Sequence, residues 1–144
     1  MSQSKASYSS DDEIRALAQS FEDCSLPDEA FDHRAHLAVA AWYLSSMTVE
    51  QASLRMREGL LRFLAHYEAD PQKYNETITQ FWVRRLDKLL SETDSTLSLA
   101  ERANQTIERA GGSEVIFDYY TRERLFSEEA RADWLQPDMR LMDS

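Results

Sequence analysis

The sequence predicts an all-α fold, an antiparallel up-and-down bundle of about five main helices followed by short C-terminal ones. Three observations carry this expectation. Apolar residues recur at spacings of three and four along most of the chain, which marks one face of a helix. Only three Gly and three Pro interrupt 144 residues, so the turns are few and the helices long. The stretch 37–44 (LAVAAWYL) is apolar on nearly every side, as only a helix covered all round tolerates.

The length suits a single domain, expected over 10–138, with a disordered lead at 1–9 and a short tail at 139–144. The first helix is expected over 10–24, capped by Ser10, with Asp11, Asp12 and Glu13 at the positive end of its dipole and Ile14, Leu17 and Phe21 facing the core. Pro27 breaks the chain, and the central helix follows from 28 or 32 to 46. Thr48 with Gln51 reads as a capping box opening a third helix to 68, with Val49, Ala52, Met56, Leu60, Phe63, Leu64 and Tyr67 on its buried stripe. Asp70-Pro71 ends it. A fourth helix over 74–92 buries Ile78, Phe81, Trp82, Leu86 and Leu89, and a weaker fifth over 95–110 stops at Gly111-Gly112. Two short helices over 114–121 and 127–135 complete the chain, closed by Pro137. Short connections favour antiparallel neighbours.

Sixteen Lys and Arg against 26 Asp and Glu give a formal charge of −10. That sign repels phosphate backbones and anionic lipid, so neither nucleic acid nor a membrane is an expected partner. The first ten residues are polar and Ser-rich, without the apolar run of a secretion signal, and the one cysteine, Cys24, has no intrachain partner. A reducing, cytoplasmic location is therefore expected. The carboxylates of Glu22 and Asp23 oppose a thiolate at Cys24, so no catalytic role is expected of it.

The polar residues worth chemical attention gather at one end of this bundle. His33 and His36 lie three apart in the first turn of the central helix, on one face. The antiparallel third helix brings His66 to the same end, where the fourth begins with Tyr74, Asn75 and Glu76. A helix N-terminus opposes positive charge, which suits the two rings to metal ligation. His33, His36 and Glu76 form a candidate set for a divalent metal (iron, manganese or zinc) with open positions for substrate. The plainer alternative is a capping-turn pair satisfied by Asp28, Asp32 or backbone carbonyls. At 100° per residue Asn75 lies near the stripe of Ile78, Trp82 and Leu86, where it also reads as an N-cap, and Glu76 points away from that stripe. His66 is peripheral. Tyr74, Tyr119 and Tyr120 are candidate hydroxyl donors, although aromatic residues at such positions usually belong to the core. The segment after Gly111-Gly112 is expected to return across the histidine end as a cover, bringing Arg131 to a substrate carboxylate or, more commonly, into a salt bridge with Glu128, Asp138 or another of the many acids.

Three stretches resemble a family of small, helical, largely uncharacterised bacterial proteins: FDHRAHL at 31–37, YNETIT at 74–79 and SEEARADWLQPD at 127–138. The family patterns are F-x-H-x-x-H-L, Y-H-E-T-x-T and S-x-E-A-R ending near Pro-Asp, and the resemblance spans residues 30–138. It supports the helical fold and implies no activity. A histidine stands in the family where this chain has Asn75, which leaves any metal here to His33, His36 and Glu76.

Two functional expectations follow. The first is a small metal-dependent or acid–base enzyme acting on a small organic substrate, with His33 and His36 as ligands or bases, Glu76 as ligand or proton carrier, and Tyr74, Asn75 and Arg131 orienting substrate. The second is a non-enzymatic interaction domain that pairs with a second copy or another protein, has structural histidines, and exposes Trp134, Leu135, Met139, Leu141 and Met142 as a docking patch.

Overall fold

A computed structural model describes residues 7–142. Among these residues there is no strand, and the chain forms seven α-helices: α1 (Asp11–Glu22), α2 (His33–Leu44), α3 (Val49–His66), α4 (Glu76–Ser91), α5 (Leu99–Ala110), α6 (Arg122–Leu125) and α7 (Glu128–Ala132). Three 3₁₀ turns, Asp28–Ala30, Pro71–Lys73 and Ser113–Asp118, lie between them. No helix of the described residues is long and apolar enough to cross a membrane.

Local chemistry starts each helix. Ser10, Asp32, Thr48, Asn75, Ser98, Thr121 and Ser127 each accept a backbone N–H of the first turn, satisfying a donor that the helix leaves unpaired. Thr48 with Gln51 and Ser98 with Glu101 are reciprocal capping boxes. The fifth helix starts later than the apolar spacing suggests, because Asp94 turns back onto the amide and hydroxyl of Thr96 at 2.9 and 2.8 Å and holds that stretch as a turn. The helix expected at 114–121 is a 3₁₀ turn followed by the short α6, and α7 ends at Ala132. The expected disordered lead falls outside the described residues up to position 6. Of its remainder, Tyr8 pairs its backbone N–H and C=O with the side chain of Asn104 on α5.

The architecture follows from α2. Ala35, Leu37, Ala38, Val39, Ala40, Ala41 and Tyr43 are buried, so the helix presents almost no side to water. Helices α1, α3, α4 and α5 all contact it. Small side chains on α2 let these neighbours approach closely, and the larger ones, Leu37 and Tyr43, key into the cluster with Phe21, Met56, Phe81 and Leu86.

The last third of the chain is tied to the first turn of α4 by polar contacts. Thr77 is fully buried, and its hydroxyl lies 2.8 Å from the carbonyls of Ala130 and Asp133 while accepting the Leu135 amide at 3.2 Å. Tyr120 donates to the Leu135 carbonyl, Asp138 caps Thr121, and Arg84 stacks over Trp134 at 4.2 Å. Capture of Asp133 in extended conformation by Thr77 explains why α7 stops short of the expected 135.

Helices α1 and α3 meet at Gly59, where an added Cβ would lie 2.5 Å from Phe21 Cε2. That ring cannot swing away, since it is stacked on Phe31 and set against Phe63. Gly59→Ala should therefore lower the urea midpoint, with overpacking of about 1–3 kcal/mol outweighing the roughly 1 kcal/mol that alanine gains in a helix. An unchanged or raised midpoint would mean that the α1–α3 spacing is not set at this residue.

Candidate functional site

His33 and His36 share the first turn of α2 but serve different surroundings. Asp32 fixes that turn by accepting the Ala35 amide at 2.9 Å. The His33 ring leans edge-on against Trp82, with centroids 4.7 Å apart, and its Nε2 lies 3.0 Å from the Gly111 carbonyl. A carbonyl only accepts, so Nε2 carries the proton. This is the backbone-carbonyl partner of the plainer alternative, supplied from the end of α5. A polar cleft of about 760 Å³ lies on this side, walled by Asp32, Arg34, Asn104 and Glu108 among others.

His36 faces the other way. Its ring helps line a cavity of about 320 Å³ between α2, the C-terminal half of α3 and the start of α4, with walls from Phe31, Leu60, Phe63, Leu64, Tyr67 and Ile78. The ring is partly accessible from the cavity, but Nε2 is sealed from water and has no hydrogen-bond partner. Desolvation, with a smaller contribution from His33, depresses its pKa from 6.5 to about 4, so the imidazole is neutral at physiological pH.

The start of α4 supplies the opposite wall. Asn75 is buried; its Oδ1 accepts the Ile78 amide at 3.0 Å and its Nδ2 donates to the Leu125 carbonyl at 2.9 Å. It both caps α4 and anchors α6. Tyr74 lines the cavity, and its hydroxyl donates to Glu76 Oε1 at 2.5 Å, while Gln80 donates to Oε2 at 2.7 Å. Burial, reinforced by that carboxylate, holds the Tyr74 phenol far above its ordinary pKa. Glu76 is only 9% exposed and lines a separate cleft of about 410 Å³ together with Arg57, Glu128 and Arg131.

The structure thus brings His36, Tyr74 and Asn75 to one cavity and sets His33, Glu76 and Arg131 apart from it. Among the described residues, no three His, Cys, Asp or Glu side chains are grouped to hold one metal ion. The C-terminal segment packs against α4 on the Glu76 side, and no cavity wall comes from beyond Thr79. Arg131 donates to the Phe126 carbonyl at 2.8 Å, where a bond to Glu128 or Asp138 was the commoner expectation. His66 is exposed and packs edge-on against Tyr67. Tyr119 and Tyr120 are buried away from the cavity, the first beside Arg85 and the second bonded to Leu135.

The sequence reading missed the walls. Phe63, Leu64, Tyr67 and Ile78 have the spacing of core stripes, and Phe31 lies in a loop. The one available signal was aromatic clustering at the histidine end, where Phe31, Phe63 and Tyr67 converge.

The burial of His36 makes stability depend on pH. The unfolded ring takes up a proton near pH 6.5 and the folded one only near 4. Its contribution is therefore complete above about pH 6.5 and is lost as the pH falls toward 4, by up to about 3 kcal/mol. Urea unfolding at pH 7 and pH 4.5 should show a smaller acid loss in His36→Phe than in the parent chain. Equal losses in both would show that the ring is not desolvated.

No model of a known protein family, no curated protein and no solved structure matches this chain.

Proposed function

We propose that the chain binds a small organic molecule in the cavity at the His36 end of the bundle, with the neutral imidazole taking a hydrogen bond or a proton from it. The observation that carries this reading is a partly accessible His36 ring in the wall of an otherwise apolar cavity, with its Nε2 buried behind that surface and without a partner. Such an orphan costs about 1–3 kcal/mol, and an aliphatic residue there would avoid the cost. A mostly apolar pocket with a few fixed polar groups is the common form of a small-molecule site. Two of the motif stretches supply its parts, Phe31 and His36 from the first, and Tyr74, Asn75, Ile78 and Thr79 from the second. Tyr74 and Asn75 would shape the wall, because their polar atoms are already engaged.

The acid–base form of the reading is favoured over the metal form. A metal shared by His33, His36 and Glu76 would require Glu76 to leave Tyr74 and Gln80 and turn in from another cleft. Binding at His36 requires only a turn of its own ring to bring Nε2 to the cavity surface. His36 is a better hydrogen-bond partner than base, since a pKa near 4 lies well below the optimum for proton abstraction at neutral pH. An occupant that brings negative charge to the ring would raise that basicity.

Titration with p-cresol, an apolar ring with one hydroxyl donor, tests the proposal by NMR. Shifts should concentrate at His36, Phe31, Phe63 and Ile78, and His36→Phe should weaken binding at least several-fold while His33→Phe leaves it unchanged. No perturbation of these residues, or full affinity in His36→Phe, would overturn it.

A second reading, an interaction domain, is favoured by the exposure of Met139 (59%) and Leu141 (78%) beside a groove that Trp134, Leu141 and Met142 line with α4. Sedimentation of the chain should then show association that Leu141→Asp reverses. A concentration-independent monomer would exclude pairing of two copies through this patch.

A further inference from the structure

The cavity is graded from depth to mouth. His36, at depth, lines the cavity with part of its ring and carries the one polar side-chain atom there that is buried and unpartnered, Nε2, which a turn of the ring brings to the cavity surface. The other polar groups are spent: the Tyr67 hydroxyl donates to the Leu26 carbonyl at 2.6 Å, Tyr74 to Glu76, and Asn75 to Leu125. The flanks between are aromatic, from Phe31, Phe63, Tyr67 and Tyr74. At the mouth stand two exposed charges of opposite sign, Asp28 on one 3₁₀ turn and Lys73 on another, and neither has an ion-pair partner among the described residues.

We infer that this cavity is built for a zwitterionic α-amino-acid-type molecule with an aromatic side chain tipped by a hydrogen-bonding group. The inference rests on the His36 cavity being the binding site. The ring lies between the aromatic flanks, its tip reaches His36, the ammonium group faces Asp28 and the carboxylate faces Lys73. A cavity of about 150 Å³ is known to take benzene, so about 320 Å³ leaves room for a ring with a short chain. A ligand carrying one charge alone would satisfy one rim residue and be repelled by the other. An uncharged one would leave both in water.

Calorimetry on the full chain at pH 7 tests this with four probes: L-tyrosine, tyramine (no carboxylate), 3-(4-hydroxyphenyl)propanoate (no ammonium) and p-cresol (neither). L-Tyrosine should bind tightest, and loss of either charge should weaken binding roughly two- to five-fold, the range of exposed ion pairs. Lys73→Gln should weaken L-tyrosine, whose carboxylate loses its partner, and should not weaken tyramine, which has no carboxylate to lose. Asp28→Asn should weaken L-tyrosine and should not weaken the propanoate. Both substitutions lie on exposed turns outside the core, so folding is not at issue. If p-cresol binds as tightly as L-tyrosine, the amino-acid assignment falls and the cavity reading stands. If none of the four binds, both fall.

Discussion

Helix α2 seals the stretch from Leu37 to Ala41 completely, and four helices stand around it to do so. A helix in that position has no lateral surface on which to place a polar side chain without a partner, since each buried orphan costs kilocalories. Its polar residues are therefore confined to its ends. At the N-terminal end Asp32 caps the helix and His33 finds the carbonyl that α5 leaves open at Gly111. His36 lies one turn in, just where the surrounding side chains stop filling space, and its Nε2 is left without a partner. The cavity is in this sense the unfilled end of the core that covers α2.

The beginning of α4 is the second organising point, and it works through hydrogen bonds where α2 works through apolar packing. Asn75 and Thr77, two residues apart at the helix start, are buried, and each binds the backbone of the C-terminal segment. One of these contacts would be an ordinary cap. Together they fix how α6 and α7 sit, and they hold the α4 terminus at the angle that presents Tyr74, Ile78 and Thr79 to the cavity.

What could be read from the sequence divides along physical lines. Local rules found the bundle: the all-apolar run of α2, the capping box at Thr48, and the breaks at Pro27 and Pro71 act over a few residues and survive folding. Tertiary approach decided the rest. The partner of His33 lies 78 positions away, and the partners that turn Glu76 from His36 toward Tyr74 and Gln80 depend on where the first turn begins. Spacing placed two histidines on one face, but a 100° turn per residue separates side chains three apart by about 60°, enough for each to find a different neighbour. A cavity has no signature of its own in sequence. Phe63 and Tyr67 follow the same helical period whether or not another side chain fills the space opposite them.

The C-terminal segment supplies no wall of the cavity, yet it anchors the helix that does. Leu125, Ala130 and Leu135 reach the start of α4 through backbone groups, which no side-chain substitution removes directly. Lesions that unseat this segment, by a misplaced proline or a shortened loop, would thus disturb the cavity without touching any residue that lines it. The shape of the cavity therefore depends on contacts made through Thr77 as well as on the residues around His36.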